Sequence, residues 1–209
     1  MIRANAGVNA HGRFQERHDL KPTLNSAVDE LAVPPIPEVQ QWAAGYNGAR
    51  GPLIDLSQAV PGYPPPRELL DGLGEQASSP QMMGYGRIEG EEKLRRAYAA
   101  HVSQFYGAPV AAGQTHITSG CNQAFIASAI AVAGAGDTVL MTNPRYFNHD
   151  TTLAMLGIKT AYVDCDPANG FLPDIDAVRE AVKSAKAFAL VSPNNPTGSI
   201  YPSALLSEI

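Results

Sequence analysis

The stretch GAGDTVLMTNPRYFNHDTTLAMLGIKTAYVD, residues 134–164, decides the architecture. Gly134–Asp137 forms a turn that leads into the apolar run TVLMT, residues 138–142. A short apolar run bounded by turn residues reads as a strand buried on both faces. A helix is predicted from about Tyr146 to Leu156, with Gly157 as its stop. Thr160–Asp164 then returns to strand. Strand, helix and strand in so short a span make the unit from which parallel sheets are built.

Toward the C-terminus the same alternation continues. DPANG, residues 166–170, is a turn, and Asp174–Lys183 is a predicted helix with Ile175, Val178 and Val182 on one face. AFALV, residues 187–191, reads as another buried strand. After Pro202, Ser203 is the expected N-cap of a helix whose apolar face starts with Leu205, Leu206 and Ile209. An apolar face that has only begun points to a truncated domain.

Toward the N-terminus, an Ala-rich helix spans Asn122–Ala133, and His116–Thr118 is a short strand candidate before it. Leu94, Tyr98, Val102 and Phe105 recur at spacings of four, four and three, the signature of an amphipathic helix that Gly107 ends. Leu53, Ile54 and Leu56 can make a short strand or extended piece before the prolines of the next loop. Residues 1–50 are polar and rich in Pro and Gly, with one short helix expected around Glu38–Ala44. No internal repeat is visible. The whole predicts an α/β fold with a mainly parallel sheet.

Composition narrows the function. The 209 residues are 44% hydrophobic and 17% charged, which is globular and long enough for a substantial core. The net charge of −5 and the lack of a basic block argue against nucleic acid as a partner. The first 21 residues hold no apolar core of a signal peptide, and no run of 18 apolar residues predicts a membrane span. Two cysteines, Cys121 and Cys165, are too few for a disulfide framework, so a reducing cytoplasm is the expected location.

Three loops that follow strands carry polar chemistry. TSGCNQAF, residues 118–125, sits where a strand hands over to a helix, so Ser119, Gly120 and the next N–H groups suit a phosphate. The same residues also fit a tight turn with a Ser cap. NPRYFNH, residues 143–149, puts the aromatic Tyr146 at the strand's carboxyl end, where it can stack on a flat ring or simply pack. SPNNPTG, residues 192–198, is a rigid loop at the edge where open α/β sheets bind ligands, although Asn and Gly are also ordinary turn residues.

Together with GYGRIEGEEKLRRAYA, residues 84–99, these segments resemble fold-type I PLP-dependent aminotransferases of class I/II, aspartate aminotransferase and its relatives. The resemblance runs from about Leu53 to Ile209. It implies the large domain of a pyridoxal 5'-phosphate (PLP) enzyme over residues 51–209, incomplete at the C-terminus, with 1–50 as an N-terminal arm and part of a small domain. It implies that Ser119, Gly120 and Cys121 form the phosphate cup, with Cys121 where many relatives have Thr or Ser. Tyr146 would stack on the pyridine ring, and Asn195 would hydrogen-bond the cofactor's phenolic oxygen. Tyr85 would reach the phosphate of a neighbouring subunit, which implies a homodimer. LSQAVPGY, residues 56–63, resembles the substrate-side loop, with Ala59 where many relatives carry Gly.

The implied reaction moves an amino group from an amino acid to a 2-oxo acid. The Schiff-base lysine, the acidic partner of the pyridine nitrogen and the carboxylate-binding arginine all follow the NPTG loop in that family. Lys21, Lys93, Lys159, Lys183 and Lys186 match no such position, so no catalytic residue is assigned and the chain alone is expected to be inactive. A PLP-dependent lyase or synthase on the same scaffold, and a non-catalytic remnant, are the alternatives. His149 reads as a polar helix-start residue, and His11, His18, His101 and His116 lack ligand spacing, so no metal is expected.

Overall fold

The structure, a computed structural model, describes residue 23 and residues 25–59 and 61–209. The arm expected over residues 1–50 lies partly outside these, as do His11, His18 and Lys21. The helices and strands run α1 (Ser26–Asp29), α2 (Ile36–Ala44), α3 (Arg67–Ser78), α4 (Glu92–Tyr106), α5 (Cys121–Val132), β1 (Thr138–Asn143), α6 (Phe147–Met155), β2 (Lys159–Asp164), α7 (Ile175–Ala181), β3 (Ala187–Ala189) and α8 (Ser203–Glu208).

The three strands form one parallel sheet in the order β2-β1-β3. Its central strand is β1, in register with β2 from Thr138 opposite Lys159 to Asn143 opposite Asp164. Side chains of β1 alternate between faces. Val139 and Met141 pack with Ala129 of α5, Leu153 of α6 and Ile158. Leu140 turns to the other face and meets Val163 and Val178 of α7. Helices therefore cover both faces, which is why Val139, Leu140, Met141 and Thr142 are all buried. Gly157 ends α6 at φ 68°, and a Cβ there would stand 3.2 Å from the Ala135 side chain. Glycine fits both demands.

Four expectations need correction. His116–Thr118 is not a strand: Ile117 bonds the Glu89 carbonyl of a loop, and no strand among the described residues runs beside it. AFALV yields strand over Ala187–Ala189 only, half-buried, because β3 pairs on its β1 side alone. Ser203 is the first helical residue of α8, and Pro202, with φ −60° and ψ 146°, is the N-cap. In α4 Leu94, Tyr98 and Phe105 of the apolar stripe are exposed, Phe105 at 73%, Val102 is half-buried, and the buried residues are Arg95 and Ala99. Arg95 faces inward because its guanidinium donates to the Gly90 and Ala112 carbonyls, each at 3.0 Å, and so ties two loops to the helix. Of the two readings for Leu53, Ile54 and Leu56, the short strand does not form, and all three side chains are exposed.

Candidate functional site

At the carboxyl end of β1 the chain passes through Asn143, Pro144 and Arg145 to Tyr146, the N-cap of α6. The Tyr146 hydroxyl accepts from Asn148 Nδ2 at 2.6 Å. His149 stands edge-on to the Tyr146 ring, 5.1 Å between centroids, and stacks on Phe125 of α5 at 3.8 Å. The first turns of α5 and α6 therefore meet above one face of the sheet. Burial pushes the His149 imidazole below its usual range, which favours the neutral ring in this stack.

The start of α5 carries Ser119, Gly120 and Cys121. Gly120 has φ 85°, a backbone that side-chain-bearing residues rarely adopt, and this bend lets the chain enter the helix. The Ser119 N–H donates to Gln123 Oε1 at 2.5 Å, and the Cys121 side chain is exposed. The N–H groups of the first turn have no partner within the helix, so they are free to meet an anion.

Beyond β3, the loop 192–198 is organised by Asn194, which is 6% exposed. Its Oδ1 accepts from the Thr197 N–H at 3.2 Å and the Thr197 hydroxyl at 2.8 Å. Its own N–H donates to the Ser199 carbonyl at 2.8 Å. Below the loop, the Tyr201 hydroxyl donates to Thr142 Oγ1 of β1 at 3.3 Å, and both side chains are buried. The buried pair holds the loop down on β1, while Asn195 stays exposed.

A cleft of about 550 Å³ is shared by the loops after β1 and β3, with Ser57, Gln58, Ala59, Arg145, Tyr146 and Asn195 among its walls. Of the residues expected from sequence, Ala59, Tyr146 and Asn195 come together there. Ser119, Gly120 and Cys121 do not line the cleft; the helix they start is linked to Tyr146 through the stacked rings of Phe125 and His149. Tyr85 lies apart with its side chain fully in solvent. Among the described residues no cluster of His, Cys, Asp or Glu is arranged to hold a metal.

A family profile described as aminotransferase class I and II matches residues 51–209. The chain belongs to that family. It is 31% identical over 160 residues to an aromatic aminotransferase from Arabidopsis thaliana, covering 75% of this chain and 40% of that protein. It is 30% identical to a valine–pyruvate aminotransferase from Mycobacterium tuberculosis, over 85% of this chain and 46% of that one. Among solved structures, aspartate aminotransferase from Thermus thermophilus with maleate overlays with a TM-score of 0.79 at 26% identity, covering 90% of this chain and 49% of that one. The chain thus spans about half the length, or less, of these aminotransferases.

Sequence reading missed much of what supports this candidate site. Arg145 donates through Nε and Nη2 to Asp150 Oδ2, at 2.8 and 2.6 Å, and through Nη1 to Asn143 Oδ1 at 3.1 Å. Tyr162 of β2 donates to Asp150 Oδ1 at 2.8 Å. Arg145 and Asp150 lie five apart across a helix start, a spacing that carries no standard signal. Burial alone would raise the Asp150 carboxyl, but the Tyr162 hydroxyl and then Arg145 outweigh it and hold the group below the usual carboxylate range. The sign follows directly. A carboxylate depressed by folding adds stability that is complete above its unfolded value of about 3.9 and fades as pH falls through the folded value. Urea melts across the acid range should show wild type losing stability below about pH 4. Asp150→Asn should be weaker at neutral pH and flatter in acid. Parallel curves for the two proteins would contradict a stabilising Asp150 carboxylate.

Proposed function

We propose that the carboxyl edge of this sheet binds pyridoxal 5'-phosphate, and that the protein serves in transfer of an amino group from an amino acid to a 2-oxo acid. Class I aminotransferases use this cofactor, which supplies an electron sink for the amino-acid carbon when bound. The observation that carries the reading is the shared cleft. Tyr146 and Asn195 come from separate loops after β1 and β3 and wall the same space.

The donor set suits the group. The Tyr146 ring offers a face for stacking on the pyridine. Asn195 is exposed, and its side-chain amide can donate to the phenolic oxygen. The Ser119 hydroxyl and the N–H groups of Gly120 and Cys121, at the start of a 12-residue helix, suit the phosphate. Cys121 brings a thiol in place of a hydroxyl, so its backbone N–H carries the contact. Ala59, which also lines the cleft, would meet the substrate side. The solvent-facing Tyr85 would serve a neighbouring copy's phosphate, which makes a homodimer part of the proposal. No residue of this chain is assigned the Schiff-base or proton-transfer role. A cytoplasmic setting is proposed with it, and no described helix is long and apolar enough to cross a membrane.

Pyridoxine 5'-phosphate is the suitable probe, because it keeps the ring, the phenolic oxygen and the phosphate but has no aldehyde to label surface lysines. Equilibrium dialysis should detect saturable binding, weakened about tenfold or more in Asn195→Ala, the worth of a hydrogen bond to a charged group. Equal affinity in the two proteins would contradict the assigned contact.

A further inference from the structure

Tyr146 is the N-cap of α6, with ψ 112°, so it stands just outside the helix. The helix therefore does not fix its direction, and the loop 143–146 must. That loop ends in Arg145, whose guanidinium has five donors in a rigid fork and no acceptor. The fork is used across three elements. Two donors meet Asp150 Oδ2 of α6, and a third meets Asn143 Oδ1 at the end of β1. The Arg145 Cζ also lies 4.3 Å above the centre of the Tyr162 ring on β2, a cation–π placement.

Each partner is itself held. Tyr162 donates to the second Asp150 oxygen at 2.8 Å. Asn143 Nδ2 donates to Asp164 Oδ1, across the register to β2, at 2.8 Å. The network is closed, and its ion pair is partly withdrawn from water, with the Arg145 and Asp150 side chains 33% and 25% exposed. Charged hydrogen bonds gain strength in such surroundings. On the α6 side the Tyr146 ring meets Asn148 at its hydroxyl, His149 at its edge and the tilted Phe147 ring at 5.6 Å, none of which ties it to the sheet.

We propose that Arg145, clamped by Asp150, Tyr162 and Asn143, is the positioning residue that fixes Tyr146 in the cleft. The clamp works by tying the loop to β2, so that the ring is already placed before a ligand arrives. Preorganisation of this kind removes an ordering cost from binding. A lysine cannot replace Arg145, since a point charge cannot reach Asp150 and Asn143 together while lying over Tyr162. What the ring would stack on rests on the proposed cofactor, whereas the clamp itself is a property of this chain.

Two readouts separate these parts. Hydrogen exchange of the 209-residue chain reports the loop without any ligand. In Arg145→Gln, exchange over residues 143–150 should speed up while that of β1 and α5 stays as in wild type. Pyridoxine 5'-phosphate reports the ring: its affinity should fall about three- to tenfold, the worth of one aromatic stack. The induced circular dichroism of the bound ring should shrink at saturation. Arg145→Lys should rescue neither readout. Tyr162→Phe, which keeps the ring and loses only the hydroxyl donor, should fall between wild type and Arg145→Gln.

Arg179→Gln is the control. Arg179 also bonds two carboxylates, Asp176 and Glu208, away from the cleft. Unchanged exchange over 143–150 in Arg145→Gln would overturn the clamp, whatever the ligand does. The same ligand effects in Arg179→Gln would overturn it too, by showing general loosening. Wild type that binds no pyridoxine 5'-phosphate would instead sink the cofactor reading, and exchange alone would then decide the clamp. Should Arg145→Gln not fold, Tyr162→Phe decides the same question through a smaller change in exchange.

Discussion

Purified by itself, the chain is expected to self-associate, forming dimers or larger species that grow with concentration. The cause is apolar surface that no described element covers. Helix α3 buries no residue at all, and its Leu69, Leu70 and Leu73 are 53, 46 and 58% exposed. On α4 the stripe of Leu94, Tyr98 and Phe105 is open, with Tyr106 beside it at 72%. A further apolar groove, about 500 Å³, runs between α2 and residues 53–57, walled by Trp42, Ile54 and Leu56 among others. Amphipathic helices normally turn such faces to a core. Monomeric proteins seldom leave patches beyond a few hundred Å² in water. Sedimentation velocity over a range of concentrations reads the outcome. One monomeric species throughout, with a single sharp melting transition, would show that these faces are tolerated in water.

Leu153→Ala should cost about 2–5 kcal/mol of unfolding free energy. Leu153 is fully buried, between β1 and α5, against Ala129, Val139, Met141 and Ile158. Deleting its side chain loses the transfer energy and leaves a hole that a sheet pinned on both faces cannot close. Against a total of about 5–15 kcal/mol, such a loss is a large share. Leu73→Ala, at an exposed site, should stay within about 0.5 kcal/mol of wild type. Urea midpoints in dilute solution measure both. Equal midpoints for the two variants would mean that the core is not where β1 places it.

The contrast between these leucines also shows what a sequence can reveal. Leu140 is legible because β1 is one apolar run bounded by turns, whereas for Leu153 the sequence marks only the helix that Gly157 ends. Leu73 and Leu94 have equally good helical spacing, yet periodicity says only that a face is apolar, not that anything packs on it. His116–Thr118 misled for a related reason. A strand exists only through its partner, and pairing is not written in three residues. At the site, Tyr146 and Asn195 were legible because each follows a strand in a loop of polar and turn residues. Their supports were not. Asp150 meets Tyr162 twelve positions later, and Tyr201 meets Thr142 from 59 positions away. Contacts of that range depend on the parallel register, which appears only when the sheet has formed.

The central claim is that the turn into α5 and the loops after β1 and β3 form one cofactor site. Hydrogen-exchange mass spectrometry of the 209-residue chain, with and without saturating pyridoxine 5'-phosphate, tests it most directly. Slower exchange is predicted in three separate segments at once: Thr118–Gln123, Arg145–Asn148 and Ser192–Thr197. Protection confined to one segment, protection along α3 or α4 instead, or no change at saturation would contradict a shared site at the carboxyl edge of this sheet.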